Sequence, residues 1–324
     1  MRGPKLLLTR RVWGRIAAGA LAWGFRRSIS AADPTGGGRL NWAQEPPADS
    51  GRERQYRATA QILVLSIPLV HWPNVGGGRA VWRETERPQK QGVRLLEFSG
   101  FSRPERAGGL NRLGFIQEIS RLGENGAGES LYFGLMTASP EETAEDAKKA
   151  LHSQAKQAAY TAIDGRIGDG MVDTVVAHFE APSHWSVSNR NELIDLARKA
   201  LAMTPARPTE GKTGGVEVRP FLETLADALR PNGPAEARFA YAGRFYRLSI
   251  QKAPDAKATA NYRQRGLIGA TAQVVRATGK LRRETGGKES NFRLWVEEGA
   301  ARPLPLRIDY QARAFLRLVF EAEG

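Results

Sequence analysis

The chain has 324 residues, 41% of them hydrophobic, and carries 48 Lys and Arg against 34 Asp and Glu, a formal net charge of +14. This apolar content excludes a wholly disordered chain, and no apolar run reaches the roughly 20 residues of a membrane-spanning helix, which excludes a polytopic helical membrane protein. The chain has no Cys, which excludes disulfides, thiolate catalysis, Cys-ligated zinc and iron–sulfur clusters.

The N-terminus has the three-part layout of an export signal. A basic stretch leads to the apolar run Ile16–Phe25, and the small residues Ser30, Ala31 and Ala32 stand before Asp33. We therefore predict a cleavable signal over residues 1–32 and a periplasmic or secreted protein. Without the seven basic residues of this segment, the formal charge falls from +14 to +7. A charge of +7 on the remaining chain is only weak evidence for nucleic-acid binding.

The export route is less sharply defined. Residues 9–15 (TRRVWGR) resemble a twin-arginine motif, although Gly14 stands where that motif has a hydrophobic residue. A retained N-terminal anchor and an internal structural or disordered segment stay open as alternatives. Residues 33–55 are rich in Gly, Pro and charge, which predicts a flexible linker ahead of a folded body at 56–324.

The body begins and ends with short extended segments. Alternating and apolar runs separated by Gly and Pro predict strands of an antiparallel sheet over 56–70, 79–87, 93–101, 113–119 and 130–138. After the strand 171–179, further strands are predicted at 238–241, 245–250, 258–265, 267–277, 291–297, 304–310 and 314–321. Ala242 and Gly243 predict a hairpin turn.

Three helical insertions interrupt the strands. Ser139, Pro140 and Glu142 form a capping signal that predicts a helix over 139–160. An apolar stripe predicts a second helix over 189–203, ended by Pro205, and a third, short helix is predicted over 220–230. The predicted class is α+β: a large curved, half-barrel-like antiparallel sheet with two longer helices and one short helix on its concave side or between its halves.

Period-two alternation predicts the faces of the last strands. We expect one side to be buried and the other to reach solvent or the rim, with Trp295 on the second side against another layer or over a ligand opening. The buried set is Leu294, Val296, Leu306, Ile308, Leu316, Leu318 and Phe320. The alternating set is Arg293, Arg307, Asp309, Arg317 and Glu321.

The C-terminal third resembles the DUF3108 family of uncharacterised bacterial exported proteins. Residues 239–248 (FAYAGRFYRL) carry the resemblance, together with 292–296 (FRLWV) and 304–308 (LPLRI). Residues 56–118 are loosely similar to the opening strands of that family. The resemblance implies a curved sheet like that of periplasmic lipid-carrier proteins, and it implies no catalytic residue.

Three motifs match patterns found in catalytic or binding sites, but ordinary structure explains them better. Residues 206–213 match a permissive phosphate-loop pattern, but they follow a helix and contain Pro208, so we predict no nucleotide binding. His178, Glu180 and His184 lack the spacing of a metal site. The hydroxyls beside His184 are sequence neighbours and not a triad. We predict no catalytic residue, no metal and no cofactor, while leaving open whether the protein is an enzyme.

Aromatic residues on predicted strands lead to the functional hypothesis. With neighbouring Arg they could stack nucleic-acid bases. The predicted export argues against that use, and we predict no nucleic-acid partner. We expect an envelope protein that binds or carries an apolar ligand such as a lipid, through Trp295, Tyr246, Trp82 and Tyr132. The alternative is a structural or assembly factor of the envelope that binds a protein partner through the sheet.

The export prediction is tested by N-terminal sequencing of native protein. The mature chain should begin near Asp33, and a retained Met1 or Arg2 would contradict cleavage. Replacing Arg10 and Arg11 by Lys should block export if the twin-arginine route is used, because that route requires the arginine pair. Unchanged export would indicate the general secretory pathway.

Overall fold

A computed structural model describes residues 51–64, 67–84, 92–122, 128–138, 156–168, 171–208, 217–287, 289–313 and 316–324. The predicted export signal, most of the predicted linker and residues 139–155 of the first predicted helix lie outside this part of the chain. All statements on the fold concern the described residues.

Fourteen strands form one antiparallel sheet in the order β8-β7-β6-β5-β4-β3-β2-β1-β14-β13-β12-β11-β10-β9. The first half of the chain supplies β1 (Arg52–Val64), β2 (Ile67–Glu84), β3 (Gly92–Ser102), β4 (Leu113–Leu122), β5 (Ser130–Thr137), β6 (Gln157–Gly168), β7 (Met171–Pro182) and β8 (Arg207–Pro208). The second half supplies β9 (Glu236–Tyr241), β10 (Arg244–Pro254), β11 (Val274–Arg283), β12 (Ser290–Glu297), β13 (Arg307–Arg313) and β14 (Leu316–Ala322). The first and last of the long strands, β1 and β14, pair with each other.

The sheet curls until its two ends meet, giving a nearly closed, barrel-like structure. The rings of Tyr132 on β5 and Tyr241 on β9 lie 6.2 Å apart, and both belong to one buried cluster with Ile163 and Phe245. The β9–β10 turn consists of Ala242 and Gly243 with φ of 51° and 72°, as expected for a tight hairpin. The face that carries Tyr132 is therefore concave, and we call it the inner face.

Both faces of the sheet are covered by helices. The 13-residue α1 (Arg190–Ala202) follows a single 3-10 turn at Val187–Asn189. Its buried stripe Leu193, Ala197 and Leu201 packs on the outer face, against Phe133 and Tyr160 among others. α1 therefore lies outside the barrel, and the prediction that the helices pack on the concave side is wrong for it.

The nine-residue α3 (Ala256–Gln264) also lies on the outer face, where the sequence predicted a strand at 258–265. Asp255 caps this helix by accepting the Ala258 N–H at 2.9 Å, and its other oxygen accepts the Trp295 indole N–H at 2.9 Å. The cap and the packing of Tyr262 with Trp295 favour a helix here over a strand. Trp295 packs against another layer, as the alternation predicts.

The nine-residue α2 (Phe221–Leu229) lies inside the barrel. Pro220 at its N-cap offers no side-chain acceptor, so the first N–H groups need another partner. The fully buried Glu118 on β4 supplies it: its two oxygens accept the N–H groups of Leu222 and Glu223, each at 2.8 Å. Burial raises the pKa of Glu118 from 4.5 to about 8 against the opposing effect of these hydrogen bonds.

Four further details of the sequence prediction are wrong. Residues 267–273, assigned to a strand, precede β11, which begins at Val274. Residues 157–160, assigned to a helix, begin β6 and pair with β5 and β7. Residues 52–55, assigned to the linker, begin β1. Asp309 is buried at 3% exposure instead of reaching the rim, because Arg293 and Arg307 hold its carboxylate at 2.9 and 2.7 Å.

The predicted alternation is largely confirmed elsewhere in the last strands. Leu294, Val296, Leu306 and Phe320 are buried, whereas Ile308, Leu316 and Leu318 are half-buried. The register of β12 with β13 places Leu294 opposite Ile308 on the inner face, and Trp295 opposite Arg307 on the outer face. Ile308 therefore faces the incompletely filled interior of the barrel, whereas Leu316 and Leu318 pack against Ala60, Val75 and Ala107.

The helix anchor makes stability depend on pH. Since the pKa of Glu118 is higher in the folded than in the unfolded protein, the folded state keeps a proton between pH 4.5 and about 8 that the unfolded state has lost. The free energy of unfolding should therefore fall as pH rises through this window, by up to about 1.4 kcal/mol per pH unit from this group.

The variant Glu118→Gln should lose this component. In urea unfolding at pH 5, 6, 7 and 8, the advantage of wild type over the variant should shrink as pH rises. The exposed Glu105→Gln controls for loss of a carboxylate. An advantage of the same size at every pH would contradict a raised pKa for Glu118.

Candidate apolar ligand site

A cavity of about 300 Å³ lies between α2 and the inner face of the sheet. Its wall is apolar and comes from α2, from strands β2 and β3, from β11 to β14, and from the loop before β13. The central lining residues are Trp82, Phe98, Leu225, Ala226, Phe292 and Ile308. Packed protein interiors leave few voids larger than a water molecule, and ligand pockets begin at roughly 300 Å³. The cavity has the size and surface of a small apolar binding site.

Two polar side chains of α2 are buried, while two of its leucines are only half-buried. The charged Glu223 is 5% exposed and Thr224 is 4% exposed, whereas Leu222 and Leu225 on the face toward the cavity are only half-buried. An interior helix normally covers its apolar face first, because apolar burial is the main favourable term in folding. α2 instead buries Glu223 and Thr224 as deeply as the cavity-lining Leu229, and it leaves part of the surface of Leu222 and Leu225 uncovered.

The polar face of α2 is held by polar side chains of the sheet. Ser120 and Ser130 donate to the Glu223 carboxylate at 2.5 and 3.2 Å. Arg94, itself 5% exposed, lies 3.5 Å from Asp227 and stacks over the Trp82 ring. These contacts lie among β2, β3, β4 and β5, so α2 is fixed against one side of the barrel.

Two features fix the wall of the cavity that faces α2. The Phe292 ring lies over Gly279, where a Cβ would come within 2.0 Å of it, so the ring packs down onto the sheet. The loop 302–305 crosses near the starts of β1 and β13. Its carbonyls at Leu304 and Pro305 accept hydrogen bonds from Arg54 at 2.8 Å and Tyr56 at 2.7 Å. Leu304 and Pro305 thereby form a fixed part of the cavity wall.

The structure places the four predicted ligand residues in different surroundings. Trp82 lines the cavity. Tyr132 lies at the seam of the barrel, where its hydroxyl is 2.6 Å from Thr174. Tyr246 stacks on Phe239 with ring centroids 5.1 Å apart. Trp295 lies on the outer face beneath α3, so the cavity contains one of the four.

Residues 209–213 of the phosphate-loop pattern lie outside the described residues, and the described parts of the other candidate motifs are strand, turn and loop positions. Of the phosphate-loop pattern, the described residues 206–208 include the short strand β8. His178 lies on β7 with its Nδ1 3.1 Å from the Thr161 hydroxyl. Across the described ranges, no three His, Asp or Glu side chains are close enough to bind a metal ion. No helix within these same ranges is both long and apolar enough to cross a membrane.

The α2 residues of the cavity were absent from the sequence-based candidates. Their helix was predicted, but its place inside the barrel depends on Glu118, which is 104 residues from Leu222 in the chain. A Glu among alternating residues of a strand ordinarily indicates a solvent-facing position. No local signal marks it as an interior anchor.

Comparisons with known proteins do not identify a family or a function for the chain. No protein-family model and no curated protein matches the chain. Among solved structures it is similar to a beta-barrel-like protein of domain of unknown function DUF1849 from Brucella abortus, at 8% sequence identity. The similarity covers 84% of this chain and 95% of the other, with a TM-score of 0.38, which is too low to carry an inference about function. The DUF3108 resemblance stays a prediction.

The position of Trp295 gives a stability prediction. Trp295→Phe keeps an aromatic ring but removes the hydrogen bond to Asp255, whose pKa is held low by the Ala258 and Trp295 N–H groups. The free energy of unfolding should fall by about 1–3 kcal/mol in urea titration. Binding of an apolar fluorophore should stay unchanged, because the side chain lies on the outer face. Weaker fluorophore binding with unchanged stability would instead place Trp295 at a ligand opening.

Proposed function

We propose that this protein is an exported protein of the cell envelope that binds or carries an apolar ligand, such as the acyl chain of a lipid, in the cavity beside α2. The signal-like N-terminus supports the location. The observation that carries the binding proposal is the apolar cavity beside α2, toward which Leu222 and Leu225 remain half-buried while Glu223 of the same helix is covered. The protein's role is then to shield apolar surface of its ligand from water.

The chemistry of the wall supports an apolar ligand over a polar one. Phe98, Leu225, Phe292 and Ile308 offer dispersion contacts and no hydrogen bonds. The charged groups of α2 are engaged on the opposite side of the helix, by Ser120, Ser130 and Arg94. A ligand in the cavity therefore gains mainly from removal of apolar surface from water.

The rival function, partner binding through a sheet edge, has less support within the described chain. One edge, β8, has only two residues and ends at Pro208, which lacks a backbone donor. At the other edge, β9, the Ala240 N–H already donates to the Arg219 carbonyl at 3.1 Å. These contacts disfavour addition of a partner strand at β8 and β9, whereas β7 beyond Thr174 has no described strand neighbour on that side and is the edge left for the rival function.

A matched pair of alanine substitutions tests the cavity. Ala226→Leu adds three carbons to a lining residue on α2, whereas Ala200→Leu makes the same change on α1, where Ala200 is half-buried on the outer face. The probe is N-phenyl-1-naphthylamine, a neutral apolar fluorophore. Wild type and Ala200→Leu should bind it with equal affinity, and Ala226→Leu should bind at least about tenfold more weakly, since roughly 1.4 kcal/mol of lost contact gives that factor.

Native mass spectrometry of the mature protein from cells provides the second readout. A co-purifying lipid should be present on wild type and depleted on Ala226→Leu. Thermal unfolding of both variants shows whether they are folded. Absence of fluorophore and lipid from folded wild type, or equal binding by all three proteins, would overturn the proposal.

A further inference from the structure

The strands β10 and β11 are neighbours in the sheet and carry a one-sided charge. Together they contain seven Lys and Arg and no Asp or Glu. Four of these basic side chains, Arg247, Arg276, Lys280 and Arg282, belong to the outer face and are exposed. The positions between them on the same face, Ser249, Gln251 and Thr278, are uncharged and polar. We call these seven residues the basic face.

Three arginines stand in one row across this end of the sheet. Arg247 is the register partner of Arg238 on β9 and of Arg282 on β11. The Glu284 carboxylate forms ion pairs with two of these arginines, with Arg238 at 2.7 Å and with Arg247 at 3.3 Å. Like charges directly opposite each other destabilise a sheet. Glu284 and the Phe245 ring offset this for Arg238 and Arg247, while Arg282 has no ion-pair partner among the described residues.

Most acidic groups around the basic face already form hydrogen bonds or ion pairs with other residues. Asp255 caps α3 and accepts the Trp295 N–H. Asp309 is buried between Arg293 and Arg307. Glu321 lies beside Arg265 and Arg307, and Glu289 pairs with Lys280 at 3.1 Å in an exposed position. Glu236 on β9 is the exposed register partner of Ser249 on the same side. With Glu236, Glu284 and Glu289 set against Arg238, Arg247, Arg276, Lys280 and Arg282, the face keeps a net positive charge.

We infer that the basic face docks this protein on the surface of an anionic phospholipid bilayer. Planar guanidinium groups bind lipid phosphates with two hydrogen bonds each, and a row of them matches a surface that presents many phosphates. A single-stranded nucleic acid would need aromatic side chains for stacking. On this part of the sheet Phe245 and Trp295 are buried, and Tyr246 turns inward to Phe239, so the described face offers none.

The same strand connects the basic face to the cavity. Leu281 lies between Lys280 and Arg282 on β11, and its side chain lines the cavity on the inner side. Docking would thus place the cavity wall one strand's thickness from the bilayer surface. The docking inference itself depends on charge alone and does not require the cavity to be filled.

Vesicle sedimentation of the full chain tests this inference. Vesicles of phosphatidylcholine alone are compared with vesicles that contain one-third phosphatidylglycerol, at low and at high salt. The variant Arg247→Gln/Arg282→Gln is compared with Arg103→Gln/Arg106→Gln, which removes two exposed arginines from the turn between β3 and β4. All proteins keep the same basic N-terminus, so its contribution is equal throughout.

Wild type should bind the anionic vesicles, less strongly at high salt, and should bind neutral vesicles weakly. Arg247→Gln/Arg282→Gln should bind anionic vesicles roughly 30-fold more weakly, at about fivefold for each basic residue, while the control pair stays close to wild type. Equal losses in both pairs, no loss in either, or binding to duplex RNA without binding to vesicles would overturn the inference. The cavity variant Ala226→Leu should bind vesicles normally, which separates this result from the ligand proposal.

Discussion

The position of α2 depends on one carboxyl group inside the barrel. Glu118 accepts the N–H groups of Leu222 and Glu223 at 2.8 Å each, at a helix end where Pro220 provides no cap. Unsatisfied N–H groups at a buried helix end would each cost about 1–3 kcal/mol. The anchor therefore determines both that α2 can lie in the barrel and where along the inner face it begins.

Fixing one face of α2 leaves the other face uncovered. Glu223 and Asp227 are four residues apart and both point to the polar side chains of β3, β4 and β5. Leu222 and Leu225 then face the cavity, where they pack against its wall and stay half-buried. The cavity is thus a consequence of how the helix is held, and the same contacts that hold it keep the polar groups out of the apolar wall.

Local signals in the sequence identified much of the fold. Alternation in β12 to β14 gave the correct faces for Leu294 and Trp295, and Ala242-Gly243 was a correct hairpin turn. The signals failed where one specific side-chain partner decides the outcome, whether it is near in the chain or far. Asp309 is buried by two arginines on its own and a neighbouring strand, and residues 258–265 fold largely as a helix because Asp255 caps it. Among the residues that line the site, the sequence identified Trp82. The α2 residues were missed because α2 is placed there by Glu118, which is 104 residues from Leu222 in the chain.

The central claim is that the space beside α2 is a ligand site and not an incompletely packed core. A crystal of the full chain grown with a brominated fatty acid measures this directly, because anomalous scattering locates the bromine. The account predicts a bromine peak between Leu225 and the ring of Phe292, within contact distance of Ile308. Bromine found only outside the barrel, or side chains that close the space, would contradict it.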